Sequence, residues 1–276
     1  MHIFKKAFLF LTILILLSIL VLSTKHPSHD RDWATDQAIL PHVTISGTEV
    51  QIEHFRDFSY TSTSEYTPRY KTKTVDTREI VSLDYLVEPF GEMKGAAHTL
   101  LSFGFQTASG TDYVAVSVEI RKEKGESFSP LKGLLREYEL MYVVGSEDDL
   151  IQLRTNFRKD DVYLYPIKTT KDRMAAIFLS MMERIAGIEH TPEFYNTMTN
   201  NCTSNIRDHV NTVVEDRVPW TTSVFLPGYS DKRAYGLGLI DTALSFEEAR
   251  AHFYITDIAA EATDDMSFSD LIRSRR

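Results

Sequence analysis

The chain has 276 residues, 43% of them hydrophobic and 25% charged, with a formal net charge of −9. That length and balance fit one sizeable folded domain with a full core, and the acidic surplus argues against a nucleic-acid partner. No Gly-rich phosphate loop, dinucleotide fingerprint or zinc-type cysteine spacing occurs, so no cofactor is expected.

The N-terminus reads "MHIFKKAFLFLTILILLSILVLST". Lys5 and Lys6 precede an uncharged run from Ala7 to Ser23, which at ~1.5 Å per residue reaches the short limit of a bilayer core. The lysines favour a cytoplasmic N-terminus, and no small-x-small cleavage site follows. Residues 1–24 are therefore expected to be an uncleaved signal anchor, a single inner-membrane helix with the rest of the chain in the periplasm. A cleaved signal peptide is the alternative, and a lipoprotein signal is excluded because no cysteine follows the run. Residues 25–40 are read as a polar tether, residues 41–265 as the folded domain and residues 266–276 as a loose tail.

Within the domain, Val43 and Ile45, then a Ser-Gly turn, then Val50 and Ile52, predict a hairpin. Residues 61–77 are polar and read as extended or looping. "AAHTLLSFGF" and "DYVAVSVEIR", joined by "QTASGT", predict a central hairpin, and "ELMYVV" and "DVYLYPI" predict two further strands. In "KDRMAAIFLSMMERIAGI", Met174, Phe178, Met181 and Ile185 recur at helical spacing, a stripe read as core. "FEEARAHFYITDIAAEA" predicts a second long helix. The fold class is α+β, an antiparallel sheet packed with helices.

One cysteine occurs, in "FYNTMTNNCTSNIRDHV". A lone cysteine in an exported chain cannot form an internal disulfide, so it is either buried filler or a used thiol. Ile206, Val210 and Val213 mark a helix behind it, and Asn200 and Asn201 are good N-caps. Cys202 then sits on the first turn, where unpaired N–H groups and the helix dipole favour a thiolate. A base is needed, and His98, on a strand among small residues, is the candidate; a packed core histidine is the alternative. His209, two turns along the same helix, is too far up the axis. Opposite His98 in the hairpin falls Glu119, the candidate orienting group, with Ser117 and Glu123 as alternatives. Asn201 and Thr203, flanking the cysteine, are candidate substrate and oxyanion contacts. His42 and His54 face each other on a hairpin, but no HExxH spacing supports a metal site.

The blocks "DWATDQAILPHVTISGTEVQIEHFRDFSY", "GAAHTLLSFGF", "YVAVSVEIRKEKGESFSPLKGLLREYELMYVV", "DDVYLYPI", "EFYNTMTNNCTSNI" and "LPGYSDKRAYGLGLID" resemble the Lnb N-terminal periplasmic domain family, over about Asp32 to Asp241. The order of a histidine strand first and "NC" at a helix start later is similar to circularly permuted papain-like proteins, the NlpC/P60 and lecithin:retinol acyltransferase type. The resemblance implies a nucleophile at Cys202 and a base at His98. It implies a membrane-anchored acyltransferase that moves a fatty acyl group from a phospholipid donor to an amine acceptor such as a lipoprotein N-terminus. Those acyltransferases often carry a second histidine on the next strand, where this chain has Ser117 or Glu119. A cysteine peptidase or amidase acting on peptidoglycan peptides, or a non-catalytic envelope binding domain, are the competing functions.

Overall fold

A computed structural model describes residues 2–90, 95–215, 217–263 and 265–276. Its strands are β1 (His42–Ser46), β2 (Glu49–Arg56), β3 (Ser59–Tyr60), β4 (Tyr66–Thr67), β5 (Tyr70–Asp76), β6 (Ile80–Pro89), β7 (Ala97–Thr107), β8 (Gly110–Arg121), β9 (Glu139–Gly145) and β10 (Tyr163–Pro166). The helices that matter most are α1 (His2–Ser23), α2 (Pro130–Leu134), α3 (Glu147–Leu150), α4 (Lys171–His190) and α5 (Cys202–Val210).

Among the described residues, one eight-stranded sheet runs β1-β2-β9-β8-β7-β6-β10, with β5 added to β2. The predicted central hairpin forms, and closes more tightly than expected: Thr107 pairs with Gly110, whose φ of 134° a side chain would strain. β6, which the sequence reading passed over, pairs with β7 along nearly its whole length. It is buried on both faces, so it lacks the polar alternation that marks a half-exposed strand.

Strand alternation divides the core in two. Leu101, Phe103 and Phe105 of β7 and Val114, Val116 and Val118 of β8 pack on one face with Phe178, Met181 and Ile185 of α4 and Ile206 of α5. Phe178 meets both Phe103 and Phe105 edge-on at 5.1 Å, a favoured aromatic geometry. On the other face Leu86, Leu100, Ala115 and Met141 meet Leu150, Ile258, Phe268 and Ile272. His98, Ser117 and Glu119 share this second face, two or more residues beyond its apolar part.

Four expectations change. Residues 25–40 are no free tether: Trp33 is buried, Arg121 stacks 4.2 Å over its ring, and Arg31 pairs with Glu123 and Glu139. The C-terminal residues are not loose either. A short helix spans Phe268–Leu271, and Arg273 clamps the buried carboxylates Asp84 and Glu147 at 2.8 and 2.6 Å. The predicted last long helix breaks into Phe246–His252 and Thr256–Ala259, because Ile255 N–H donates to Val162 O beside β10. Finally, α1 is helical, but among the described residues no helix is long and apolar enough to cross a membrane, and the expected anchor is not established. Several side chains of α1 lie outside the described residues.

Candidate active site

Cys202 is the first residue of α5, and its neighbours explain why the helix starts there. Asn201 Oδ1 accepts from Ser204 N–H at 2.8 Å while Ser204 Oγ accepts from Asn201 N–H at 2.8 Å, a reciprocal capping box. The first intrahelical bond runs from Asn205 N–H to Asn201 O. The N–H groups of Cys202 and Thr203 precede it and are free of the helix ladder. They lie beside the sulfur, where developing negative charge would need donors.

The thiol is 5% exposed and reaches the floor of a cleft of about 430 Å³ that it shares with His98 and Glu119. α5 packs on one face of β7 and His98 belongs to the other, so they meet at the strand's start, where Ala96 and Ala97 add no bulk. His98 Nε2 lies 2.6 Å from Ser117 Oγ and 3.2 Å from Glu119 Oε1. Ser117 in turn donates to Glu119 Oε1 at 2.7 Å. With Nε2 so occupied, Nδ1 is the nitrogen left to serve the thiol.

The electrostatics favour an ion pair. Burial alone would push the Cys202 thiol up, but the hydrogen bond and charge of His98, with help from Thr99, bring it below its ordinary value. Burial pulls the imidazole down, and Glu119, together with the thiol, more than reverses this, pushing His98 up to about 10. Glu119 is itself held well below the usual carboxylate range: His98 and Arg154 outweigh the opposing effect of burial. Opposite charges within about 4–6 Å act in this direction on every member of such a cluster.

Sequence reading missed two members. Arg154 comes from a six-residue π-helix, Leu153–Arg158, whose wider turn carries the guanidinium to the sheet. It donates to Glu119 Oε1 at 2.9 Å and to Glu88 Oε2 at 2.6 Å. Glu88 lies directly across from His98 in the β6–β7 register. A charge at the end of a largely apolar strand, "IVSLDYLVEP", was the available signal for it.

Two expected contacts change their role. The Asn201 amide is fully committed, since Nδ2 donates to Thr197 O and Val224 O while Oδ1 caps the helix, so it is a cap and not an oxyanion donor. The Thr203 hydroxyl lies 3.1 Å from Thr99 Oγ1 and 3.8 Å from Cys202 Sγ, so it is a neighbour of the thiol rather than part of the cleft lining. Glu123, the alternative orienting group, is spent on Arg31. His209 is bonded to Tyr142 Oη and Ser180 Oγ, and burial with the nearby Arg184 pulls it down to about 4. Among the described residues no group of three or more His, Cys, Asp or Glu side chains could hold a metal, and His42 pairs with Glu189 instead.

The cleft lining is mixed in character. Phe90, Phe128, Phe225 and Leu226 give it apolar surface, while Lys122, Arg154 and Arg158 share the polar lining with Asp36, Glu88, Glu119 and Asp160, and Arg154 and Arg158 are paired with Glu88.

No curated protein and no solved structure matches this chain. Residues 66–228 match the Lnb N-terminal periplasmic domain, a narrower span than the resemblance read from the sequence but one that contains Glu88, His98, Glu119, Arg154 and Cys202. With more than half of its length so matched, the chain belongs to the Lnb N-terminal periplasmic domain family, and its folded part is a periplasmic domain of the cell envelope.

Proposed function

We propose that the protein is a thiol acyltransferase that takes a fatty acyl group from a phospholipid and passes it to an amine. The observation that carries this reading is the Cys202–His98–Glu119 line in a cleft that Phe90, Phe128, Phe225 and Leu226 also line. The Cys202 thiolate attacks the ester carbonyl, and the N–H groups of Cys202 and Thr203 take the oxyanion. The ester C–O bond breaks, the leaving alkoxide takes the proton from the His98 imidazolium, and lysophospholipid departs from the thioester. The amine then attacks the thioester, His98 accepts its proton, and the thiolate is restored. Glu119 and Ser117 hold the imidazole for both steps.

The order of the histidine strand and the cysteine helix suits a circularly permuted papain-like arrangement, which is part of this reading. So is a membrane setting with α1 as the anchor. Its C-terminal end lies against the residues that follow α2, whose Pro130 lines the cleft: Arg136 donates to Leu22 O at 3.0 Å, and Lys25, just past the helix, donates from Nζ to Leu135 O at 3.0 Å. Around that junction Phe128, Leu131, Leu134 and Leu135 are exposed, apolar side chains of the kind that can face a membrane. A bilayer against this patch would bring acyl donors to the cleft's mouth. A lipoprotein N-terminus is the acceptor this reading favours.

The test is intact-mass spectrometry after incubation with phospholipid vesicles, with peptidoglycan fragments as the parallel arm. An acyl adduct on Cys202, absent from Cys202→Ser, is expected. Turnover of peptidoglycan peptides with no adduct would make the protein a thiol peptidase or amidase, and silence in both arms would leave an envelope binding domain.

A further inference from the structure

Behind α5, away from the catalytic cleft, lies a second cavity of about 130 Å³. Leu101, Ile177, Ile206, Val210, Val224 and Leu239 give it an apolar lining. Three guanidinium groups, Arg173, Arg207 and Arg233, also line it. Among the described residues, the Nε atoms of Arg207 and Arg233 are buried without a hydrogen-bond partner. Such orphaned donors are uncommon, because leaving one costs the desolvation of a charged group. Among the described residues, Asp231 and Asp208 do not supply the missing acceptor. Asp231 takes a bond from Tyr165 Oη at 3.1 Å and faces Arg250 at 3.7 Å. Asp208 meets only Nη1 of Arg207, whose plane also covers the Trp220 ring at 4.8 Å.

An apolar chamber with unanswered cationic donors calls for an anion on a hydrocarbon chain. Its volume is close to the ~150 Å³ of an engineered cavity that holds benzene, so about six carbons fit inside. We propose that this cavity binds a medium-chain alkyl carboxylate, with the chain among the valines and leucines and the carboxylate on Arg233 and Arg207. The site is distinct from the cleft: the two have no lining residue in common, and Thr203, on the cavity side, is the neighbour of Cys202 on the other. The proposal does not depend on Cys202 being a nucleophile.

The experiment is calorimetric titration of the full chain in nanodiscs, with empty nanodiscs subtracted, using sodium octanoate, 1-octanol and sodium acetate. Octanoate should bind ~10-fold or more tightly than either control, and Arg233→Gln should weaken octanoate ~10-fold while sparing octanol. Ala234→Phe, which fills the chamber and keeps every charge, should abolish octanoate binding. Alkylating Cys202 with iodoacetamide should leave octanoate affinity unchanged. Equal affinity for octanol and octanoate, or no octanoate binding at all, overturns the proposal. Retained affinity in Ala234→Phe, or loss of affinity on Cys202 alkylation, overturns it equally, the last by placing the ligand in the cleft.

Discussion

Glu119 holds His98 from across the β7–β8 hairpin, with Oε1 and Nε2 3.2 Å apart and the Ser117 hydroxyl within reach of both. The carboxylate thus orients the ring and keeps it charged, so that the imidazolium, and through it the thiolate, depends on a residue one strand away.

That dependence gives the first prediction, a pH profile of Cys202 alkylation by iodoacetamide. The acid limb should fall below the ordinary thiol value of 9.0, and the alkaline limb should come near 10, where the imidazolium is lost. The two limbs belong to the pair and not to either residue alone. In Glu119→Gln the alkaline limb should move down by about 1–3 units. A limb that stays in place would mean that the carboxylate does not set the charge of the ring.

The same shifts link to stability. His98 is raised above its ordinary 6.5, so the charged ring stabilises the fold fully below that value and progressively less as pH rises toward about 10. Glu119 is depressed below its ordinary 4.5, so its contribution is complete above that value and lost as pH falls through the lower folded one. Denaturant midpoints measured against pH should therefore change less with pH at both extremes in a His98→Gln, Glu119→Gln double variant. Identical curves for the double variant and the parent would refute the linkage.

Asn201 carries a separate expectation, because it caps α5 and ties the preceding loop to Thr197 and Val224. Asn201→Ala should cost about 1–2 kcal/mol of stability, read as a lower denaturation midpoint. Asn201→Asp keeps the acceptor and should recover part of it. Equal losses in the two variants would locate the effect in the amide donors and not in the cap.

Arg273 should be the most costly surface-proximal residue to remove. Its guanidinium serves Asp84 and Glu147 and stacks 3.6 Å over Tyr113. Arg273→Ala leaves the buried Glu147 without a guanidinium and Asp84 with Arg276 alone, and should cost about 3–5 kcal/mol. A change in midpoint no larger than that of Arg275→Ala would contradict this.

The apolar rim predicts a rate effect without a chemical one. Leu131 is 63% exposed beside the cleft. Leu131→Asp should lower turnover on phospholipid vesicles ~10-fold or more, the scale of one leucine's burial, while iodoacetamide labelling of Cys202 stays the same. Slower labelling would show instead that the substitution disturbs the site itself.

The pairing of His98 with Glu119 was legible because a short turn and strict alternation fix which residues oppose, and a slip by one would have turned every side chain over. The place of Cys202 was legible from the asparagines before it and the Ile206–Val210 stripe after it. Arg154 was hidden because a π-turn has no periodic signature and "LRTNFR" carries no apolar rhythm. Trp33 and Arg273 were misread for a different reason. Each looks like an isolated residue in a polar segment, and its worth comes from Arg121 in one case and Asp84 in the other. Local pattern cannot convey that kind of long-range partnership.

The Arg273 clamp also sets an order of events for a chain that emerges from its N-terminus. Asp84 must wait for a partner 189 positions later, and Glu147 for the same residue 126 positions later. Until then β6 and α3 each hold an acidic group without its guanidinium partner, and the sheet's second face has reason to stay open to water. The segment around Arg273 therefore acts as a latch: a chain cut before it should leave Asp84 and Glu147 without their guanidinium partners and the sheet's second face less firmly closed.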